Sequence, residues 1–287
     1  MVRFIKVCIM VCACSVAVLG QLSETEQSWN KPVEPFRIIG NVYYVGASDL
    51  TSYLIATPKG HILIDSGMAE TVPQVRVNIE KLGFKLSDIK YLLNSHAHYD
   101  HAGGLAELRR VTGAKLLVSR GDAGLMSRGG RKDPNFGDSF PFEATQPDET
   151  FDDGKQVKVG GSELTANVTP GHTAGCTTWT TTAVDRGRKY KVMFVCSTSA
   201  PGYKLVGNEA YPKITADYFV TFSRLKRLRP DVFLGSHGQQ FDLLGKIEVL
   251  KTRPSVNPFI DPKGFLDYVT ESESSFKKAL ASQQSTR

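Results

Sequence analysis

Residues His96-Ala97-His98-Tyr99-Asp100-His101 hold three of the chain's six histidines in one short segment. This cluster constrains the fold most, because imidazoles crowded beside a carboxylate are the donor set a divalent metal such as zinc gathers. The segment follows the apolar run 89–94 and precedes Gly103-Gly104, so it reads as a turn between the end of a buried strand and the start of a helix. Alternate residues on such a turn can face one ion and the intervening pair a neighbouring one. A lone histidine is usually just a satisfied polar residue; His-x-His-x-Asp-His after a strand is poorly explained that way.

The rest of the chain supplies a scaffold. Short apolar runs at 41–45, 52–56 and 61–65 alternate with turns and read as strands of a first sheet. Residues 69–82 have the spacing of an amphipathic helix stopped by Gly83, residues 89–94 return as a strand, and 102–111 form the next helix. After a strand at 116–118, residues 121–153 are rich in Gly, Pro, Asp and Arg, and are expected to be a long functional loop. Strands then fall near 156–159, 164–168, 177–182, 191–195 and 232–234, with helices near 214–228 and 262–281. This order predicts an α/β fold with two sheets face to face and helices outside, a four-layer αβ/βα sandwich in one domain.

Two further histidines sit at strand-end turns: His172 in Pro170-Gly171-His172-Thr173-Ala174-Gly175, and His237 in Gly235-Ser236-His237-Gly238. Their small neighbours allow close approach of backbone to an ion. Together with the cluster they are candidate ligands. His61, beside Lys59-Gly60, has no such company and reads as a surface residue.

Arg3 and Lys6 precede an apolar stretch from Val7 to Gly20, the pattern of a secretory signal over residues 1–20, followed by a domain over 21–287. Val11-Cys12-Ala13-Cys14 loosely resembles a lipid-attachment site and is the lesser alternative. The stretch is shorter than the roughly 20 residues of a membrane span. Export to the periplasm is expected, with no stable membrane insertion after cleavage. Losing Arg3 and Lys6 lowers the net charge from +6 to +4, and the scattered basic residues imply no nucleic-acid partner. A monomer is expected. Of five cysteines, Cys8, Cys12 and Cys14 leave with the signal. Cys176 and Cys196 remain, on two strands flanking the turn Asp185-Arg186-Gly187-Arg188. Directly paired strand positions rarely bridge well, so two buried thiols are favoured over a disulfide.

The motif His96-x-His98-x-Asp100-His101, with Gly171-His172 and Gly235-Ser236-His237, resembles the metallo-β-lactamase superfamily over nearly the whole mature chain. Most hydrolases of that superfamily bridge two metals with an Asp at the end of the strand after the fourth ligand. The matching place here reads Phe194-Val195-Cys196-Ser197-Thr198-Ser199, and no Asp occurs between Asp185 and Asp217. True β-lactamases lack that Asp, and the stretch from Ser197 to Leu205 is similar to their third subclass. Cys196 is one residue away from the position of the first subclass's Cys ligand, which in a strand turns it to the opposite face.

The resemblance implies two zinc ions, one held by His96, His98 and His172 and the other by Asp100, His101 and His237. It implies hydrolysis of the amide bond of β-lactams (penicillins, cephalosporins and carbapenems) by a zinc-bound hydroxide that Asp100 orients. By the same analogy the Tyr203 hydroxyl stabilises the oxyanion, and Ser197 and Ser199 anchor the substrate carboxylate. Phe136 and Phe140, with Phe142 following, supply apolar surface for the cleft, and Asp65 is expected to be structural. The competing readings are a lactonase or thioesterase of the same superfamily, which the missing Asp disfavours, and a zinc-binding protein without catalysis, which an open coordination position disfavours.

Overall fold

The computed structural model describes residues 22–285, so the expected signal, with Cys8, Cys12 and Cys14, lies outside the described residues. The chain begins with α1 (Glu24–Trp29), whose Ser23 and Glu26 form a reciprocal capping box. The first sheet is built from β1 (Phe36–Ile39), β2 (Val42–Tyr44), β3 (Tyr53–Ile55), β4 (His61–Ile64) and β5 (Ile89–Leu93), with α2 (Val72–Lys81) crossing between the last two. α3 (Tyr99–Ala102) and α4 (Leu105–Thr112) follow, then β6 (Lys115–Ser119), α5 (Arg120–Ser127) and β7 (Glu149–Phe151). These seven strands pair in chain order, antiparallel through β4 and parallel from β4 to β7.

The second sheet holds β8 (Gln156–Val159), β9 (Ser162–Val168), β10 (Thr177–Asp185), β11 (Arg188–Val195) and β12 (Val232–Gly235) in the order β12-β11-β10-β9-β8. α6 (Ile214–Arg227) precedes β12, and α7 (Leu243–Thr252) and α8 (Pro262–Ser285) follow it. Among the described residues no helix is long and apolar enough to cross a membrane.

Alternation along the strands divides the core. Ile62, Ile64, Leu93 and Leu117 point into the space shared with the second sheet, whereas Leu63, Leu92, Leu116 and Val118 pack under α2, α4 and α5. Tyr53 meets Phe194 at 5.0 Å and Phe151 meets Trp179 at 5.2 Å across the sandwich. On the outside of the second sheet, Phe233 of β12 packs against Phe265 and Tyr268 of α8. The four-layer sandwich is therefore present.

Several expectations need correction. Cys176 and Cys196 form a disulfide with a Cα–Cα distance of 5.9 Å. The pairing of β10 with β11 ends at Trp179 and Phe194, so both cysteines lie beyond the ladder, where the geometric objection to bridging paired strands does not apply. His61 is buried: it opens β4, accepts a hydrogen bond from the Thr57 amide at Nδ1 (3.2 Å), and packs edge-on to Phe84. The supposed loop 121–153 is shorter than expected, because α5 and β7 take its two ends. Phe142 packs among the helix-side core residues instead of lining a cleft.

Candidate metal centre and cleft

One end of the sandwich collects the turns that follow β5, β9, β11 and β12, and the expected histidines arrive there together. Short bonds hold these turns in place, the first two across the sandwich and the third within the second sheet. Thr177 N donates to Ser95 O at 2.8 Å, Trp179 Nε1 to Asn94 O at 3.0 Å, and Ser236 Oγ to Cys196 O at 2.6 Å. Asp122, fully buried at the start of α5, accepts from Ala97 N, Gly175 N and Thr173 Oγ1, tying the histidine turn to the His172 turn. Gly175 has to be glycine, since a Cβ there would lie 2.1 Å from Ser119 Oγ. Gly171 takes φ +134° and a Cβ would press on the Tyr218 ring at 2.8 Å.

Two triangles of donor atoms result. In the first, His172 Nε2 is 3.1 Å from both His96 Nε2 and His98 Nδ1. In the second, His101 Nε2 is 3.2 Å from His237 Nε2, and Asp100 Oδ2 lies 3.3 Å from the former and 3.4 Å from the latter. Bonds of roughly 2.0–2.1 Å to a tetrahedral zinc place two donors about 3.3 Å apart. Both triangles fit that spacing, and each uses three donors, which leaves a coordination position free.

The protonation pattern suits metal ligation. Burial and the neighbouring imidazoles hold His96 well below the ordinary histidine value and push His172 down to about 3, so both rings are neutral with a lone pair to offer. Burial of Asp100 is outweighed by His101 and His237, which keep its carboxyl well below the usual range. His101 and His237 are shifted upward despite burial, because Asp100 faces both and Asp65 and Asp49 assist, so this corner favours positive charge.

Behind the donors stands a set of acceptors that fix each ring. His237 Nδ1 lies 2.8 Å from Asp49 Oδ2, His98 Nε2 lies 3.2 Å from Asp133 Oδ2, and His172 Nδ1 lies 2.8 Å from Ser199 O. When these nitrogens donate, the opposite nitrogen of each ring is left free for a metal. Sequence reading did not single out Asp49, Asp122 or Asp133. Asp65 adopts φ +60°, accepts from Ser95 N at 2.6 Å, and approaches His101 Nδ1 only to 3.6 Å, in keeping with a structural role. Cys196 Sγ lies 3.5 Å from His96 Nδ1, and the two sulfurs and His96 are mutually close. Joined in a bridge, those sulfurs carry no thiolate to bind a metal.

The donors open on a cleft of about 760 Å³. His98, Asp100, His172 and His237 line it, as do Phe136, Phe140 and Ser199. Phe136 stands edge-on to His98 at 5.2 Å and Phe140 stacks on Tyr99 at 4.9 Å. Trp29, at the end of α1, meets His237 edge-on at 5.5 Å. Ser197 and Tyr203 are buried and do not line the cleft. Ser197 Oγ lies 3.0 Å from Ser199 Oγ, and the Tyr203 hydroxyl lies 3.3 Å from His172 Nδ1, on the side of that ring away from the metal-facing Nε2.

A sandwich with paired histidine triangles at its loop end defines a metal-dependent hydrolase scaffold, and residues 45–237 match the family model for the metallo-beta-lactamase superfamily. The chain belongs to that superfamily. Among solved structures it is similar to the FEZ-1 metallo-beta-lactamase of Legionella gormanii, with 44% identity, 89% of this chain and 98% of the other covered, and a TM-score of 0.87. It is also similar to BJP-1, a subclass B3 metallo-beta-lactamase of Bradyrhizobium japonicum, with 38% identity, coverage of 90% and 97%, and a TM-score of 0.84. A hydroxyacylglutathione hydrolase of Rhodospirillum rubrum is 32% identical over 113 residues, 39% of this chain. The matched part spans only 35% of that relative's length.

Proposed function

We propose that the chain is an exported zinc-dependent β-lactamase that opens the amide bond of β-lactam antibiotics. The observation that carries this reading is the triangle of Asp100, His101 and His237 beside the three-histidine triangle, with Ser197 and no carboxylate at the end of β11. The similarity to solved metallo-beta-lactamases, subclass B3 BJP-1 among them, over about nine-tenths of the chain supports it. Zinc bound at the two triangles would supply a nucleophile at neutral pH and Lewis acidity for the carbonyl and the leaving nitrogen.

The chain's own groups do the rest. Asp100, ionised at the cleft wall, accepts a hydrogen bond from the attacking water and aims it. Ser199 reaches the cleft and donates to the substrate carboxylate. Ser197 positions it, accepting from the Ser199 amide at 3.3 Å with the two hydroxyls in contact. Tyr203 braces His172, with its ring stacked at 5.6 Å, and is a positioning residue in this account. Phe136 and Phe140 provide an apolar wall for the acyl substituent and exclude water from the reacting carbonyl.

The alternative within the superfamily is a thioesterase or lactonase, as the hydroxyacylglutathione hydrolase match raises. One assay separates the readings: a chromogenic cephalosporin, an acyl-homoserine lactone and an acylglutathione thioester, each with and without chelator. Chelator-sensitive turnover of the cephalosporin, well above the other two, is expected. Preference for the lactone or the thioester overturns the proposal.

A further inference from the structure

The cleft has a second wall that the metal chemistry does not use. α8 presents Tyr268, Glu271, Ser272, Ser275, Phe276 and Ala279 to it, spaced as one helical face. Thr198 Oγ1 donates to the Tyr268 hydroxyl at 2.8 Å, which fixes this face against the turn that carries Ser199. Phe276 is buried and stacks on Tyr218 at 4.6 Å, holding the same face from the other end.

Glu271 is the only charged member of this wall, and its situation differs from that of the other acids of α8. Asp267 pairs with Lys263, and Glu273 with Lys226 and Lys277. Glu271 has no ion pair among the described residues; Lys263, whose charge it also feels, is held by Asp267. Although the chain carries a net charge of +6, no lysine or arginine lines the cleft among the described residues. Two zinc sites would leave the cleft positive and disfavour a cationic substrate group, and a carboxylate on the facing wall offsets that locally.

We propose that Glu271 is a specificity-determining residue that selects β-lactams with a fixed positive charge on the substituent next to the ring carboxylate, such as a pyridinium or quaternary ammonium. The inference rests on the β-lactamase reading, since it takes the substrate carboxylate to sit at Ser199. In a cephalosporin that substituent is borne by the ring carbon adjacent to the one that bears the carboxylate. Because Thr198, next to Ser199, is bonded to Tyr268, a carboxylate anchored at Ser199 would direct that substituent toward the Tyr268 end of α8. Glu271 stands three residues, about 4.5 Å of helix rise, further along that helix.

The test uses the zinc-loaded enzyme and two cephalosporins that share ring and acyl chain but end in a pyridinium or a neutral acetoxy group. Glu271→Gln is expected to raise KM for the pyridinium substrate about threefold to fivefold with kcat little changed, the scale of an exposed charge pair. Glu271→Lys is expected to raise it on the order of tenfold. KM for the acetoxy substrate should stay within about twofold, and about 0.5 M salt should shrink the pyridinium effect. Equal changes for both substrates, or no change for either, overturn the assignment while leaving the β-lactamase reading intact. A wild-type enzyme that hydrolyses neither substrate overturns that reading and this inference with it.

Discussion

His237 shows how a proposed ligand depends on a residue far away in sequence. Its Nδ1 is held by Asp49, 188 positions earlier, whose other carboxylate oxygen accepts from Gln239 N at 2.7 Å. Removing such a partner typically costs 10–100-fold in metal affinity. Asp49→Ala is therefore expected to weaken the Asp100, His101 and His237 site by about that factor while sparing the three-histidine site, as competition with a graded series of chelators would measure. Uniform weakening of both sites, or none, contradicts the assignment. The six candidate ligands were legible because their motifs are local and follow apolar strands. Asp49, Asp122 and Asp133 were not, since each reads as an ordinary polar acid until the fold brings it to a distant histidine or amide. Tyr203 and Ser197 are expected to touch substrate, but both are buried off the cleft, against His172 Nδ1 and the Ser199 hydroxyl, and which side of those groups they occupy depends on packing that no spacing encodes.

The turn after β11 is held by a covalent tie between two elements. The Cys176–Cys196 bridge closes a loop of sequence separation 20 and lies directly behind His96. In the chain-entropy account a loop of that size contributes about 3 kcal/mol. A Cys176→Ala, Cys196→Ala variant should lose roughly that much in denaturant unfolding under non-reducing conditions, and a loss below about 1 kcal/mol would contradict the account. Most strands are legible from their alternation and turn residues, β1 and β7 excepted, and the β10–β11 hairpin closes at Asp185 and Arg188 as its turn suggests. Helices α1, α5 and α7 were missed. α5 carries two glycines and α7 one, which weakens the intrinsic helical signal, and tertiary bonds such as those of Asp122 hold α5 in place. The cysteines can bridge because the β10–β11 ladder ends before it reaches them, which the spacing of the two apolar runs does not encode.

For the whole molecule, the layered architecture followed from the order of elements. Its loop end gathers buried histidines whose charge states couple to stability once metal is removed. His172 is depressed to about 3, against about 6.5 when unfolded. Its contribution is therefore full above roughly pH 6.5 and is lost as the pH falls toward about 3, because the unfolded ring takes up a proton that the folded ring refuses. His101 and His237 have the opposite sign, since their carboxylate partners raise them. Thermal unfolding of the chelated protein between about pH 7 and 4 should therefore show a shallower acid slope in His172→Asn than in the wild type. Equal slopes would contradict the shift.

The most direct test of the central claim is a zinc titration of the metal-free protein, following bound metal and cephalosporin hydrolysis in the same samples. The two triangles predict saturation near two ions per chain, with β-lactam turnover developing as they fill. Saturation at one ion, or two bound ions without β-lactam hydrolysis, would contradict the account.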